Sequence, residues 1–249
     1  MKKAVIIGAT SGLGREVASR LVAEGWTVGI TGRRQEALES FRSEHTSGKV
    51  YISTMDVTRE DSVDALDTLI GQIGSPDLFF YVSGVGYQNP ELDLDKEIRT
   101  VRTNCEGMVR MVDHFMNYVR SHRQDYTQKA HIAVITSVAG VVALGTAPGY
   151  SATKRMQSTY LSALAQLSRM EDIPVCFTDI RPGFVATDIL NPDKHYPMIM
   201  TKEKAAEHIM KALRCRKRVY TFDWHFRFAT FMWKFIPRCI WERITWIRN

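Results

Sequence analysis

Several features that would assign a protein to a class at once are missing from this sequence of 249 residues. Its four cysteines are scattered without Cys-x-x-Cys spacing, which argues against a disulfide framework or a metal site and fits a reducing, cytoplasmic compartment. No run of about 18 apolar residues predicts a spanning helix, and the apolar run at 4–7 is too short for a signal peptide. Linkers, repeats and low-complexity tracts are also lacking, which favours one large domain.

Net positive charge is absent from most of the chain and concentrated at its C-terminal end. The formal net charge is +6, yet residues 214–249 contain nine Lys/Arg and two Asp/Glu. The same segment contains ten of the 25 aromatic residues and four of the five tryptophans. Because the rest of the chain has no basic excess, the composition argues against a nucleic-acid-binding protein. We therefore divide the chain into a domain of residues 1–221 and a tail of residues 222–249.

Short β-branched or aromatic runs alternate with longer amphipathic stretches along the domain. The short runs predict strands at 3–8, 27–31, 49–55, 77–82, 131–136, 173–179 and 217–221. The amphipathic stretches predict helices at 13–24, 34–45, 59–73, 93–120, 150–170 and 202–214. Near-continuous apolar strands are typical of strands buried on both faces. The alternation predicts an α/β fold, a doubly wound, Rossmann-like parallel sheet of about seven strands with helices on both faces, whose ligands bind at the carboxyl ends of the strands.

A glycine-rich turn, GATSGLG, follows the first predicted strand. Its glycines would keep the turn tight and let the backbone approach a pyrophosphate, which the N terminus of the next helix would bind. A glycine-rich turn with a purely structural role is the alternative, and a P-loop is excluded because no Gly-Lys-Ser/Thr follows. The candidate cofactor-binding residues of this turn are Gly8, Thr10, Ser11, Gly12, Leu13 and Gly14.

The residues after the second and third strands bear on the choice of cofactor. Arg33 and Arg34 stand where an acidic residue would bind the ribose 2′-hydroxyl of NAD, and an arginine there suits the 2′-phosphate of NADP. This pair favours NADP(H), with two solvated arginines at a helix start as the alternative. Asp56 and Val57 suit the adenine edge, with a capping aspartate as an equal alternative.

Four further residues form an ordered set along the second half of the domain. Asn104 lies in the long predicted helix 93–120, within RTNCEG. Ser137 ends the fifth strand, within ITSVAG. Tyr150 and Lys154 belong to YSATK and share one helix face, since they are four residues apart. The nearby ammonium of Lys154 should lower the pKa of the Tyr150 phenol and suit it to proton transfer.

Together with the glycine turn, this set resembles the short-chain dehydrogenase/reductase family over roughly residues 3–221. The resemblance implies an NADP-dependent enzyme that moves a hydride between the nicotinamide and a carbonyl or alcohol carbon. Tyr150 would protonate the carbonyl oxygen while Ser137 donates a hydrogen bond to it. Lys154 would also hold the nicotinamide ribose, and Asn104 would anchor a water that relays protons to Lys154.

The resemblance implies further cofactor contacts from Gly84, Pro182, Gly183, Val185 and Thr187, the last two at the carboxamide. The family usually has Asn-Asn-Ala-Gly after the fourth strand, whereas this chain has Tyr-Val-Ser-Gly at 81–84. Ser83 would then have to replace the missing asparagine, which normally ties neighbouring strands together. A homodimer or homotetramer is also implied, through the helices at 93–120 and 150–170.

The substrate wall is expected from residues 86–87, 138–147 and 184–200. No arginine pair is placed to bind a carboxylate or phosphate, so a hydrophobic ketone or aldehyde is favoured, for instance a keto-lipid such as a 3-keto sphingoid base. The candidate wall residues are Leu144, Phe184, Ile189, Leu190, Tyr196, Met198, Ile199 and Met200.

The tail has an aromatic stripe, in which Trp224, Phe228, Phe231 and Phe235 follow helical spacing beside basic residues. Pro237 should interrupt this helix. Aromatic residues flanked by basic ones suit the surface of a membrane, and packing on the domain or in a dimer is the equal alternative. A non-catalytic NADP sensor, an epimerase or dehydratase with a longer substrate domain, and an interfacial scaffold are the rival functions. The presence of the catalytic set argues against the sensor.

Overall fold

The computed structural model describes residues 2–46, 48–187, 196, 198–233 and 235–245. Strands and helices alternate along these ranges, as the sequence predicts. The strands are β1 (Lys3–Ile7), β2 (Thr27–Gly32), β3 (Val50–Thr54), β4 (Leu78–Tyr81), β5 (Ala130–Ile135), β6 (Val175–Arg181) and β7 (Val219–Thr221). The helices are α1 (Gly12–Ala23), α2 (Gln35–Glu44), α3 (Ser62–Ile73), α4 (Leu94–Val101), α5 (Gly107–Ser121), α6 (Pro148–Met170), α7 (Lys202–Cys215), α8 (Trp224–Trp233) and α9 (Arg238–Trp241).

The seven strands form one parallel sheet in the order β3-β2-β1-β4-β5-β6-β7, which confirms the predicted doubly wound, Rossmann-like fold. The strand order reverses between β1 and β4, and a sheet of this kind binds its ligands at such a point. The register aligns the carboxyl ends there, because Ile7 pairs with Thr31 of β2 and with Tyr81 of β4. The loops that follow these three strands therefore start side by side.

Both faces of the sheet are buried, as the apolar strands predict. On one face, α1, α2 and α7 pack on the sheet around residues such as Ile6 and Phe80. On the other face, α3, α5 and α6 pack around Ile7 and Phe79. Successive residues of a strand point to opposite faces, so the central strands β1, β4 and β5 have buried, mostly apolar side chains at nearly every position.

Two differences from the sequence prediction concern β6 and the long helix. The sixth strand starts at Val175 and not at 173, because Pro174 has no N–H to donate to a neighbouring strand. The predicted helix 93–120 contains a wide π-helical turn, Arg102–Glu106, between α4 and α5. Such turns often occur at functional sites, since they open the regular hydrogen-bond ladder of the helix.

The tail is helical in its described part, and Pro237 interrupts it as predicted. Helix α8 ends at Trp233, and Pro237 then caps the short helix α9. No helix within the described ranges is both long and apolar enough to cross a membrane. The predicted homodimer or homotetramer stays a prediction.

Candidate active site

A cleft of about 500 Å³ opens at the carboxyl edge of the sheet. It is formed by the loops after β1 to β6, and it contains all the predicted site residues except Gly14 and Asn104. Those that line it are Gly8, Thr10, Ser11, Gly12, Leu13, Arg33, Arg34, Asp56, Val57, Gly84, Ser137, Tyr150, Lys154, Pro182, Gly183, Val185 and Thr187. The structure thus brings together residues that are up to 179 positions apart in the chain.

The glycine loop needs its glycines for conformation and for close packing. Gly8 has a φ of +97°, a left-handed conformation that favours glycine. A Cβ on Gly14 would overlap the carbonyl oxygen of Gly8, so Gly14 supports the cleft from behind without lining it. Ser83 lies against Gly8 and donates its backbone N–H to the Ile7 carbonyl at 2.9 Å. The backbone of Ser83 therefore links β4 to the start of the glycine loop.

Two arginines and one carboxylate meet at the end of the cleft next to β2 and β3. The Arg34 guanidinium donates to the Thr10 hydroxyl at 3.1 Å, and Arg33 is exposed. Partial burial raises the pKa of the Asp56 carboxyl, but hydrogen bonds from Thr58 and the charge of Arg33 outweigh it, so the pKa is lowered overall. Asp56 caps its turn through Thr58 and also lines the cleft, and its contact with the adenine edge stays a prediction.

Ser137, Tyr150 and Lys154 converge at the other end of the cleft. Ser137 follows β5 and caps a short helical turn by accepting a hydrogen bond from the Ala139 N–H at 3.1 Å. Tyr150 lies in the first turn of α6, which Pro148 begins, and its phenol is near enough to the Ser137 side chain for Ser137 to lower its pKa. Lys154 follows one turn later, with its Nζ 5.7 Å from the centre of the Tyr150 ring. The predicted catalytic face of this helix is therefore present.

The structure corrects the expected pKa of Tyr150. Burial raises the pKa of the phenol, and the hydrogen bond to Ser137 lowers it only in part. The expectation rested on the charge of Lys154, but the Lys154 ammonium is directed to the Ile135 carbonyl, at 2.9 Å, and to the Gln157 side chain. In the chain alone, Tyr150 is therefore a neutral phenol at neutral pH and a proton donor.

Lys154 is 4% exposed, and its charge is sensitive to its surroundings. Burial lowers the pKa of Lys154 to about 8, while the negative charge of Asp179 favours the ammonium. At neutral pH the side chain is mostly positive, so it can stabilise negative charge that develops on Tyr150.

Asn104 is fully buried behind the cleft and does not line it. Its Oδ1 accepts from the Val85 N–H at 2.8 Å, and its Nδ2 donates to the Val85 carbonyl at 2.8 Å and to Thr153 Oγ1 at 3.1 Å. The Asn104 side chain thus fixes the loop after β4. Its backbone carbonyl accepts a hydrogen bond from Gln157 Nε2 at 2.8 Å, and the water relay implied by the resemblance stays a prediction.

Sequence reasoning missed Gln157. The available signal was a polar residue three positions after Lys154, in a helix whose buried face is otherwise marked by residues such as Leu161 and Leu164. A fully buried glutamine at that position has to find hydrogen-bond partners inside the protein.

The predicted substrate wall is only partly in the cleft. Gly86 and Tyr87 line it, whereas Phe184 packs on Tyr196 with ring centres 5.1 Å apart. Leu144 is half-buried, and Met200 pairs with Val185 in an isolated β-bridge. Met198 and Ile199 are exposed, and Ile189 and Leu190 lie outside the described residues. No cluster of three or more His, Cys, Asp or Glu that could hold a metal ion occurs in the described part of the chain.

The doubly wound sheet and the glycine loop at its switch point define a dinucleotide-binding α/β protein. The family profile described as short chain dehydrogenase matches residues 2–196. The chain belongs to the short-chain dehydrogenase/reductase family of oxidoreductases.

Two curated relatives illustrate the match. An uncharacterized oxidoreductase of Myxococcus xanthus is 27% identical and aligns over 97% of this chain and 95% of its own length. The glycine betaine reductase ATRR of Emericella nidulans is 30% identical over 86% of this chain, but the match spans 18% of that longer protein.

Solved structures of the family share the fold. An alcohol dehydrogenase from the archaeon Thermococcus sibiricus, complexed with 5-hydroxy-NADP, has a TM-score of 0.75 at 24% identity, covering 89% of this chain and 95% of its own. A short-chain dehydrogenase/reductase from Burkholderia phymatum, complexed with NAD, has a TM-score of 0.77 at 19% identity, covering 92% and 91%. These neighbours hold different nicotinamide cofactors, so a preference between NADP and NAD has to come from the residues of this chain's own cleft.

Proposed function

We propose that the protein is an NADPH-dependent reductase of a hydrophobic ketone or aldehyde. The observation that carries the proposal is the single cleft in which Ser137, Tyr150 and Lys154 lie at one end and two arginines at the other. When bound, NADPH supplies the hydride. The cleft suits a dinucleotide, because the glycine loop leaves its backbone accessible, and its volume is within the usual range for ligand sites.

The choice of NADPH rests on Arg33 and Arg34. Both line the cleft after β2, and neither is paired with an acidic residue of its own loop. Arg34 is already oriented by its hydrogen bond to Thr10, so less conformational freedom is lost when it binds a phosphate. A guanidinium binds a phosphate dianion through paired N–H groups, which suits the 2′-phosphate that distinguishes NADPH from NADH.

The raised pKa of Tyr150 supports its role as the acid. A neutral phenol can give its proton to the carbonyl oxygen of the substrate, while the Ser137 hydroxyl donates a hydrogen bond to the same oxygen. The phenolate that remains is stabilised by the Lys154 ammonium. Run backwards, the same groups would remove a proton from an alcohol.

The test is NADPH oxidation with a panel of ketones and aldehydes, for wild type and Tyr150→Phe. Loss of the acid should lower kcat roughly 10²- to 10⁴-fold with little change in NADPH affinity. Tyr160→Phe is the matched control, since Tyr160 lies on the same helix but bonds to Asp113 of α5. If wild type binds NADPH but reduces no carbonyl, a non-catalytic NADP sensor is favoured. If Tyr150→Phe turns over as fast as wild type, Tyr150 is not the proton donor.

We also propose that the substrate is a long-chain keto-lipid and that the tail lies on an anionic lipid surface. Helix α8 supports this, because it buries Phe226 and Thr230 and exposes Trp224, Phe228 and Phe231 on the opposite side. With about 1 kcal/mol for each basic residue near an anionic surface, the basic residues of 214–249 could recruit the chain without a spanning helix.

Two contacts connect the tail to the substrate side of the cleft. Phe226 packs against Gly183, where a Cβ would overlap its ring, and against Phe184, with ring centres 6.4 Å apart. Trp241 Nε1 donates to the Ala143 carbonyl at 2.7 Å. The tail therefore touches both loops expected to flank the substrate, which supports entry of an apolar substrate from a lipid surface.

Flotation with anionic liposomes tests this proposal. The triple variant Trp224→Ser/Phe228→Ser/Phe231→Ser should float less than wild type and lose activity mainly on long-chain ketones, because it removes exposed apolar area but keeps Phe226. Met170→Ser, another exposed apolar position, is the control. Wild type that never floats at low salt would refute the lipid surface, and a concentration-dependent dimer lost in the triple variant would assign the stripe to a second copy.

A further inference from the structure

A buried amide links the active-site lysine to the π-helical turn of the neighbouring helix. Gln157 Oε1 accepts from Lys154 Nζ at 3.0 Å, and Gln157 Nε2 donates to the backbone carbonyl of Asn104 at 2.8 Å. We infer that Gln157 is a positioning residue that holds the Lys154 ammonium toward the cleft. For its effect on turnover the inference rests on the proposed function.

The hydrogen-bond inventory of Lys154 supports this role. An ammonium has three N–H donors, and two of them go to the Ile135 carbonyl and to Gln157. The third is left for a ligand in the cleft, which Lys154 lines. Because both acceptors are fixed within the protein, the direction of the third donor is fixed as well.

The position of Gln157 depends on the π-helical turn. Asn104 lies within Arg102–Glu106, where the hydrogen bonds of the helix are displaced from their regular partners, and its carbonyl is available to a side chain from α6. The Asn104 side chain is engaged with Val85 and Thr153. Gln157 is 0% exposed and uses its oxygen and its nitrogen, so its orientation is determined at both ends.

An amide bridge does not act like a water. A glutamine side chain keeps its protons at neutral pH and serves only as hydrogen-bond donor and acceptor. The link from Lys154 through Gln157 to Asn104 therefore orients the ammonium but passes no proton.

The hydrogen bond between Gln157 and Lys154 should affect the pKa of Lys154, so titration of Lys154 can test the inference. The ionisable groups that face it are Tyr150 on α6, Cys105 in the π-helical turn and Asp179 on β6. Burial lowers the pKa of Lys154 to about 8, and the negative charge of Asp179 opposes this lowering. A hydrogen bond that the ammonium donates also favours its charged form. Gln157→Met removes an acceptor at nearly equal volume and should lower the pKa further. Gln157→Glu places a carboxylate beside the ammonium and should raise it.

The experiment measures NADPH binding by fluorescence, and kcat where a ketone is turned over, across the pH range in which Lys154 loses its proton. NADH is titrated in parallel. We expect the basic limb of both profiles to move to lower pH in Gln157→Met and to higher pH in Gln157→Glu, each by on the order of one unit. In Gln157→Met, kcat should fall about tenfold, with little change in the ketone KM. Gln166→Met and Gln166→Glu are the controls, since Gln166 is exposed on the same helix.

A purely structural role of Gln157 would change the melting temperature and leave the basic limb of the pH profiles in place. It would not move this limb in opposite directions in Gln157→Met and Gln157→Glu. If Gln157→Met fails to fold, the direction of the limb in Gln157→Glu decides alone. Limbs that coincide with wild type in the folded variants would overturn the inference. A protein that shows the shifts in cofactor binding but reduces no carbonyl would remove the proposed function and leave the positioning role intact.

Discussion

Replacement of Arg33 by alanine should reduce the preference for NADPH more than any other single change at the adenosine end of the cleft. Arg33 faces the same region as the Asp56 carboxylate, whose pKa is lowered, so this carboxylate is ionised at neutral pH. Without Arg33 the 2′-phosphate would lose a cation and would also face an unbalanced carboxylate. Arg34, which Thr10 holds in place, would remain as the single arginine contact.

The magnitude follows from the kind of contact that is lost. A hydrogen bond to a charged group contributes about 1.5–3 kcal/mol, which corresponds to roughly ten- to a hundredfold in affinity. Because Arg33 is exposed, solvent screening favours the lower part of this range. The repulsion from Asp56 acts in the same direction as the lost contact. The double variant Arg33→Ala/Asp56→Asn should therefore recover part of the lost NADPH affinity.

The assay is a fluorescence titration of NADPH and NADH for wild type, Arg33→Ala, Arg34→Ala and the double variant. Only the affinity for NADPH should fall, because NADH has no 2′-phosphate. Arg59→Ala is the matched control, since Arg59 also lies near Asp56 but is paired with Asp61. The reasoning fails if wild type binds NADH as tightly as NADPH, or if Arg33→Ala weakens both cofactors equally.

Three further outcomes are expected. Lys154→Ala should lower both kcat and NADPH affinity, because Lys154 is proposed to stabilise the Tyr150 phenolate and to bind the nicotinamide ribose. Steady-state kinetics and a binding titration measure the two effects, and a loss of kcat alone would contradict the prediction. Gly14→Ala should abolish dinucleotide binding while the circular-dichroism spectrum stays helical, since its Cβ would overlap Gly8. Burial and the charge of Arg216 lower the pKa of His131 to about 4. The unfolded state therefore binds the proton first as pH falls, and urea unfolding should show a loss of about 2 kcal/mol between pH 7.5 and 5 that His131→Gln lacks.

The layered fold could be predicted from local sequence patterns, because the central strands β1, β4 and β5 are buried on both faces and are therefore mostly apolar along their length. The position of the cleft could also be predicted, from the order of the glycine loop, Ser137, Tyr150 and Lys154 along the chain. The turns at the carboxyl ends of parallel strands meet at one edge of the sheet. The start of β6 was misplaced, because the apolar pattern of Ile173 outweighed the missing donor of Pro174. The interruption at Pro237 was predicted correctly, since proline acts on the backbone locally.

The residues that meet at the cleft could be identified from the chain, because the alternation of strands and helices and the helix periodicity are local and repetitive signals. The protonation and orientation of those residues depend on the fold. Burial raises the pKa of Tyr150, and the direction of the Lys154 ammonium depends on a carbonyl from β5 and an amide three residues along α6. The same holds for the tail, where Phe226 is buried and Phe228 exposed. Desolvation and hydrogen-bond partners depend on atoms that are distant in the chain and adjacent in space, so no pattern along the sequence specifies them.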